Sequence, residues 1–307
     1  MKKREILIRV VVICFMLSVA LFPASSFAAP IKEDEQTAYQ TTYFMSIHEK
    51  GIYRNGTLIQ VDAACLEENG TIMVPVVSLF SSAGFGVTEA EGREEVQVDF
   101  NGHLFWVNGA EDTIGFDTES YPALVSPVFQ SGECFVSFQD LSGFLKYDAV
   151  NGLISMSVGR NLAEKMEAYC REMQQREVYL FPANESTVYQ GKEPVELHER
   201  TYIQNGHMMI PLRDTLEALC PNTVVQWDGK RKQIQMTRKD QQITLDTVNQ
   251  TIDIQGETKK EKWELAQRVE IINQRCFLSL RDFVNLAGGK DMDIYWMETE
   301  KAASIRL

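Results

Sequence analysis

A seven-residue pattern occurs four times in this chain and limits its fold more than any other feature. The copies are Ile72-Met73-Val74-Pro75-Val76-Val77-Ser78, Cys134-Phe135-Val136-Ser137-Phe138-Gln139-Asp140, Met208-Met209-Ile210-Pro211-Leu212-Arg213-Asp214 and Cys276-Phe277-Leu278-Ser279-Leu280-Arg281-Asp282. Each runs three apolar residues into Pro or Ser, then a further apolar residue, and three of the four carry Asp three places after the Pro or Ser. The pattern predicts a short strand running directly into a helix. Ser with Asp three residues on reads as a capping box, and Pro suits a first helical turn, where its missing N–H is not needed.

The copies are themselves arranged in pairs. A shift of 136 lays Tyr53 on Tyr189, Val61 on Leu197, Asn69-Gly70 on Asn205-Gly206 and Val74-Pro75 on Ile210-Pro211. The later copies align at a shift of 142, Ser137 falling on Ser279. A repeat of this length predicts two tandem domains, and the 307-residue length agrees. Around the repeated steps, Asn55-Gly56, Asn69-Gly70 and Asn101-Gly102 separate short apolar runs and predict hairpin turns. Between the halves, Leu162, Met166, Tyr169 and Met173 fall on one helical face. Glu167–Arg171 and Glu172–Arg176 are spaced for i,i+4 pairs. A connecting helix is expected there, with a dimerising or partner-binding helix as the other reading.

The expected fold class is therefore α+β: two tandem domains, each a twisted antiparallel sheet packed around short helices, joined by an amphipathic helix. The expected boundaries are a signal peptide over 1–28, a flexible lead-in over 29–42, a first domain over 43–159, the helix over 160–178 and a second domain over 179–307. The leader is read from Lys2, Lys3, Arg4 and Arg9, followed by the apolar run Val10–Phe22 and small residues that suit cleavage after Ala28. That run is short of the about 20 residues a helical span needs, so no stable span is expected after cleavage. Cys14 follows Ile13 and lacks the small neighbour of a lipidation site.

The net charge of −13 becomes more negative once the basic leader is set aside. So acidic a surface argues against nucleic acid or an anionic membrane as partner. It suits a soluble, extracellular or cation-tolerant protein, a solvated acidic surface being the reading set against a weakly held divalent cation; the partners expected are a cell-wall polymer or a surface protein.

The series Met209-Ile210-Pro211-Leu212-Arg213, Val225-Gln226-Trp227-Asp228, Ile234-Gln235-Met236, Ile243-Thr244-Leu245 and Phe277-Leu278-Ser279-Leu280-Arg281-Asp282 resembles the copper amine oxidase N-terminal-like, or stalk, domain of secreted Gram-positive bacterial proteins. The second half carries the series well. The first carries it in worn form, with Val77 in the usual Arg position and Thr88-Glu89 near the place of the Trp-Asp pair. The resemblance implies two tandem stalk-like modules in which a twisted sheet wraps a helix. It implies no catalysis, because in the amine oxidases the chemistry belongs to another, larger domain.

Side chains that might carry chemistry are sparse. His48, His103, His198 and His207 form no His-x-His pair, so exposed loop or strand-edge histidines are expected and no copper. Past the leader the cysteines are Cys65, Cys134, Cys170, Cys220 and Cys276, an odd number that excludes a fully paired framework. Cys134 and Cys276 occupy apolar slots of the repeated unit and are expected to be buried. Cys170 is expected to be the accessible one, open to an intermolecular disulfide.

No nucleophile elbow or phosphate-cradling loop is present, Ser137 and Ser279 read as caps, and Gly288-Gly289 reads as a helix C-cap. Arg213 and Arg281 leave two readings open: a grip on an anionic ligand such as a wall polymer, or a structural bridge at the helix start. Phe105, Trp106, Trp227, Trp263, Tyr295 and Trp296 raise the idea of a stacking platform for carbohydrate. Trp227 and Trp296 recur after successive units and are expected in the core, leaving Trp263, within Lys259-Lys260-Glu261-Lys262, as the exposed one. No catalytic, cofactor-binding or metal-binding residue is assigned, and no cofactor. The expectation is a non-catalytic binding or structural module of the cell surface, with recruitment of a wall-active hydrolase as the alternative.

Overall fold

The computed structural model describes residues 41–89, 94–159, 161–257 and 260–307. The expected leader over 1–28, and the lead-in up to residue 40, lie outside the described residues. The chain divides into two compact units, Met1–Tyr121 with Ser126–Glu172 and Pro122–Val125 with Met173–Leu307.

The first unit carries strands β1 (Thr41–Ser46), β2 (Gly51–Arg54), β3 (Thr57–Gln60), β4 (Leu66–Glu68), β5 (Thr71–Pro75), β6 (Gly86–Glu89) and β7 (Glu95–Phe100). They are followed by β8 (His103–Asn108), β9 (Thr113–Phe116), β10 (Glu119–Pro122), β11 (Val128–Gln130), β12 (Glu133–Ser137), β13 (Leu145–Asp148) and β14 (Leu153–Val158). Helix α1 (Val76–Ser82) leaves β5 and α2 (Phe138–Leu141) leaves β12, each without a linking residue. The helix α3 (Leu162–Gln174) comes next.

The second unit holds β15 (Val178–Pro182), β16 (Thr187–Gln190), β17 (Glu193–Glu196), β18 (Tyr202–Gln204), β19 (His207–Pro211), β20 (Thr223–Asp228) and β21 (Gln233–Arg238). It continues with β22 (Gln241–Asp246), β23 (Thr251–Gln255), β24 (Lys260–Glu264), β25 (Glu270–Ile272), β26 (Arg275–Ser279), β27 (Ile294–Met297) and β28 (Ala302–Arg306). Here α4 (Leu212–Leu219) continues β19, and α5 (Leu280–Ala287) continues β26.

The strands of each unit form three antiparallel sheets rather than one. In the first unit the orders are β13-β14-β1-β2-β3, β11-β12-β5-β4 and β10-β9-β8-β7-β6. In the second they are β27-β28-β15-β16-β17, β25-β26-β19-β18 and β24-β23-β22-β21-β20. Strand for strand, the second set is the first displaced by one unit. In both, the two strand-to-helix steps are neighbours in the four-stranded sheet, Val136 opposite Val74 and Leu278 opposite Ile210.

Local chemistry explains these elements. The Oγ of Ser279 accepts from the Asp282 N–H at 3.1 Å and donates to Asp282 Oδ2 at 2.6 Å, and Ser137 with Asp140 repeats both distances. Loss of such a cap costs about 1 kcal/mol. Gly288 ends α5 in the left-handed region at φ 100°, which a residue without Cβ adopts freely. The Asn-Gly pairs close the β2–β3, β4–β5 and β7–β8 hairpins with both residues at positive φ.

Strand alternation builds the cores. Ile243 and Leu245 of β22 pair with Ile254 and Ile252 of β23, and all four are fully buried beside Leu212, Leu216 and Phe283. Each side chain so buried stabilises the fold by roughly 1.5–3 kcal/mol. In the first unit Phe80 of α1 lies edge-on to Phe100, 5.2 Å between ring centres, and 5.5 Å from Phe105.

The helix α3 is shorter than the expected 160–178 segment, and its buried stripe is Leu162, Met166, Cys170 and Met173. Cys170 thus stands one turn beyond Met166 on the apolar face, so the expectation that it is accessible is corrected: it is 2% exposed. Tyr169 is half-buried instead, its ring lying where a Cβ on Gly143 would sit. Glu167 pairs with Arg171 as the spacing predicts, whereas Arg176 turns to Asp293 at 2.6 Å.

Candidate binding cleft

A cleft of about 790 Å³ opens in the second unit where three segments meet. Pro211, Leu212, Arg213 and Asp214 come from the β19–α4 step; Val225, Gln226 and Trp227 come from β20. Asn273 and Gln274 come from the turn between β25 and β26, and Arg275 opens β26. The base is apolar, formed by Leu212 and Ile234, and the rim is polar.

Asp214 anchors the arrangement. Its carboxylate is buried, accepting from Arg275 Nη1 at 3.0 Å and from the His198 N–H at 3.1 Å. The His198 ring nitrogen lies 3.5 Å from the same carboxylate, yet the ring is exposed and outside the cleft lining. Arg275 keeps 38% of its side chain exposed, so its remaining N–H groups stay within reach of a ligand. Arg213, the preceding residue on α4, is exposed and has no acidic partner among the described residues. Arg281, in the same place on the next step, meets Asp291 at 3.5 Å. The two readings of these arginines therefore separate. Arg281 bridges to a carboxylate, and Arg213 faces the cleft.

The aromatic expectations are revised in the same place. Trp227 is 45% exposed, and Trp263 packs partly buried against the core of the second unit. Trp263 pairs with the fully buried Ile252 and shares its face, so the surrounding lysines say nothing about its direction. Trp227 shares a face with Thr223 and Val225 but stands near the end of an edge strand, where that face opens onto the cleft. The other candidates are accounted for. Phe105 and Tyr295 are buried, Trp106 covers Gly115, and Trp296 packs on the core with its indole N–H on Glu298 at 2.6 Å.

The rim carries a strained turn. Asn273 and Gln274 have φ of 50° and 64°, the double left-handed conformation that Asn-Gly supplies elsewhere in this chain. A residue with a full side chain in that region costs roughly 1–2 kcal/mol. The positions 142 residues earlier are Ser131 and Gly132, so the first unit avoids the second of these costs.

Among the described residues the five cysteines are free thiols. Cys134 is fully buried and Cys276 half-buried against the core, and burial pushes the thiols of Cys65 and Cys276 up to about 12 and that of Cys170 up to about 11. Among the histidines, His48, His103 and His198 are exposed and His207 is half-buried in β19. His103 bonds to Asp117 at 2.9 Å, which raises its pKa and lowers that of the aspartate. Among the described residues no three His, Cys, Asp or Glu side chains are grouped to hold a metal ion. No helix among them is long and apolar enough to cross a membrane.

Comparison with known proteins places the cleft inside a recognised module. Residues 189–305 match the family model of the copper amine oxidase N-terminal domain. That domain is a non-catalytic, stalk-like module. The matched span contains every cleft residue named above, and the first unit lies outside it. No curated protein and no solved structure gives a significant match.

The sequence singled out Arg213 but not Gln226, Asn273, Gln274 or Arg275, and it assigned Trp227 to the core. One signal was available. Gln274 occupies a turn position where every Asn-led hairpin of the first half has glycine.

Proposed function

We propose that this protein is a non-catalytic binding module of the bacterial cell surface, secreted through its N-terminal leader and built of two stalk-like copies. The observation that carries the binding role is the composition of the cleft. Guanidinium, indole and amide groups gather there, the Asp214 carboxylate is engaged by Arg275 and the His198 N–H, and burial pushes the Cys276 thiol up to about 12, which keeps it protonated at neutral pH. Such groups hold a ligand without reacting with it. The identical strand order of the two units supports the tandem reading.

A partner protein is the second reading, favoured by one surface feature. Ile203 of β18 and Ile271 and Ile272 of β25 are all more than 40% exposed, and these are the two edge strands of one sheet. Purified full-length chain incubated with washed cell-wall sacculi separates the two. Direct retention supports wall binding. Retention only after adding a surface-protein extract supports recruitment of a partner, and no retention in either case removes the surface role.

A further inference from the structure

The binding-module reading leaves the ligand open, and the inference below rests on that reading and gives the cleft a chemistry. The first observation is a guanidinium that the fold does not use. Arg213 is exposed without an acidic partner among the described residues, while its counterpart Arg281 is paired with Asp291. In a chain of net charge −13, intramolecular carboxylates are abundant, so an unengaged arginine beside a second, partly engaged one is a local reversal of sign.

The second is an aromatic face. The Trp227 indole is half-exposed and its N–H has no partner among the described residues, whereas Trp263 and Trp296 pack on the core and Trp106 donates to the Asp117 carbonyl. The third is a ring of neutral amides. Gln226, Asn273 and Gln274 surround the same opening, the last held in a strained conformation.

Comparison within the molecule shows that none of this is needed to build the step. The first unit forms the same strand-to-helix junction with Val77 for Arg213, Ser78 for Asp214, Glu133 for Arg275 and Gly132 for Gln274. What differs between the sister junctions is therefore available for recognition.

We infer that this cleft binds an anionic saccharide. A pyranose presents an apolar C–H face that stacks on an indole. Its hydroxyls match amides, which both donate and accept. A carboxylate or phosphate on the sugar takes the Arg213 fork in a charge-assisted pair, with the free edge of Arg275 beside it. Carboxylate and phosphate share this chemistry, and the test separates them.

The experiment is a titration of nitrogen-15-labelled full-length protein, following the Trp227 indole N–H, which is identified by its loss in Trp227→Phe. The probes are trigalacturonate, glucose 1-phosphate, neutral cellotriose and an acidic peptide. The expected result is a saturable shift with at least one acidic sugar, affinity for cellotriose at least about tenfold weaker, and a similar loss for the acidic sugar in Arg213→Gln. No shift with either acidic sugar, equal affinity for cellotriose, or unchanged affinity in Arg213→Gln overturns the inference. Tighter binding of the peptide overturns it in favour of a protein ligand. Both side chains are exposed, and circular dichroism verifies that the variants fold. If wall sacculi retain Arg213→Gln and Trp227→Ala as well as the native chain, the cleft assignment fails while the binding-module reading stands. If the native chain is not retained, that reading fails by itself.

Discussion

Arg275 donates to Asp214 at 3.0 Å, and the residues that occupy the same two places in the first unit, Glu133 and Ser78, meet with the opposite polarity: the Ser78 N–H donates to Glu133 Oε2, also at 3.0 Å. In the second unit the helix supplies the acid and the strand the cation. In the first, the strand supplies a buried acid that also accepts from the Val77 N–H at 2.6 Å and the Cys134 N–H at 3.0 Å. Glu133 satisfies N–H groups that the start of α1 leaves open, whereas Asp214 is satisfied by Arg275 and the His198 N–H, and in both units an acid near the helix start suits the helix dipole.

The inversion is testable as a cycle in the second unit. Arg275→Glu alone sets two carboxylates together and is expected to destabilise by about 2 kcal/mol, the partial exposure of the pair limiting the loss. Asp214→Ser alone leaves the His198 N–H and the arginine unpaired, at a cost of about 1–3 kcal/mol. The double variant copies the first unit and is expected to recover at least about 1 kcal/mol of the summed loss. Urea denaturation measures all three, and strict additivity would remove the idea.

Gln274→Gly is expected to stabilise the second unit by roughly 1 kcal/mol, because Gln274 has φ 64°. The same change removes an amide from the rim and is expected to weaken ligand binding. A raised thermal midpoint with undiminished affinity would confine the strain to architecture.

The thiols make a chemical prediction. With Cys65, Cys170 and Cys276 raised to between about 11 and 12 by burial, the folded protein at pH 8 should resist iodoacetamide at all three. Mass spectrometry after alkylation in buffer and in urea reads each site. A disulfide-linked dimer on non-reducing gels after thiol-free purification that is lost in Cys170→Ser would contradict the buried position of Cys170.

Two carboxylates should pull stability in opposite directions with pH. Asp246 is held near about 2, first by the Asn249 N–H and next by the Gln233 side chain. Its contribution is therefore present above the ordinary 3.8 and is lost as pH falls toward 2. Burial raises Glu133 above 4.5 despite the N–H groups of Ser78, Val77 and Cys134. Its contribution is present below that value and is lost as pH rises through the raised pKa. Asp246→Asn should flatten the acid limb of the stability profile, and Glu133→Gln should remove a decline on the side above 4.5. Unchanged profiles, measured as urea midpoints across that range, would refute both assignments.

The sequence by itself determined what is local. The strand-to-helix steps, the Ser-Asp caps, the Asn-Gly turns and the glycine that stops α5 all lie within a few residues of their causes. The match over 189–305 to the copper amine oxidase N-terminal domain could likewise be anticipated from ordered motifs. Only the tertiary structure decided which faces are covered. Periodicity placed Trp227 on an inward face but could not show that this face opens at the strand's end, and charged neighbours hid the inward direction of Trp263. Nor could it bring together Arg213, Trp227 and Arg275, which lie on three separate segments and meet where these converge. Helix and strand periods report direction relative to one element. Whether that direction ends in a core, a carboxylate or open solvent depends on the elements packed against it.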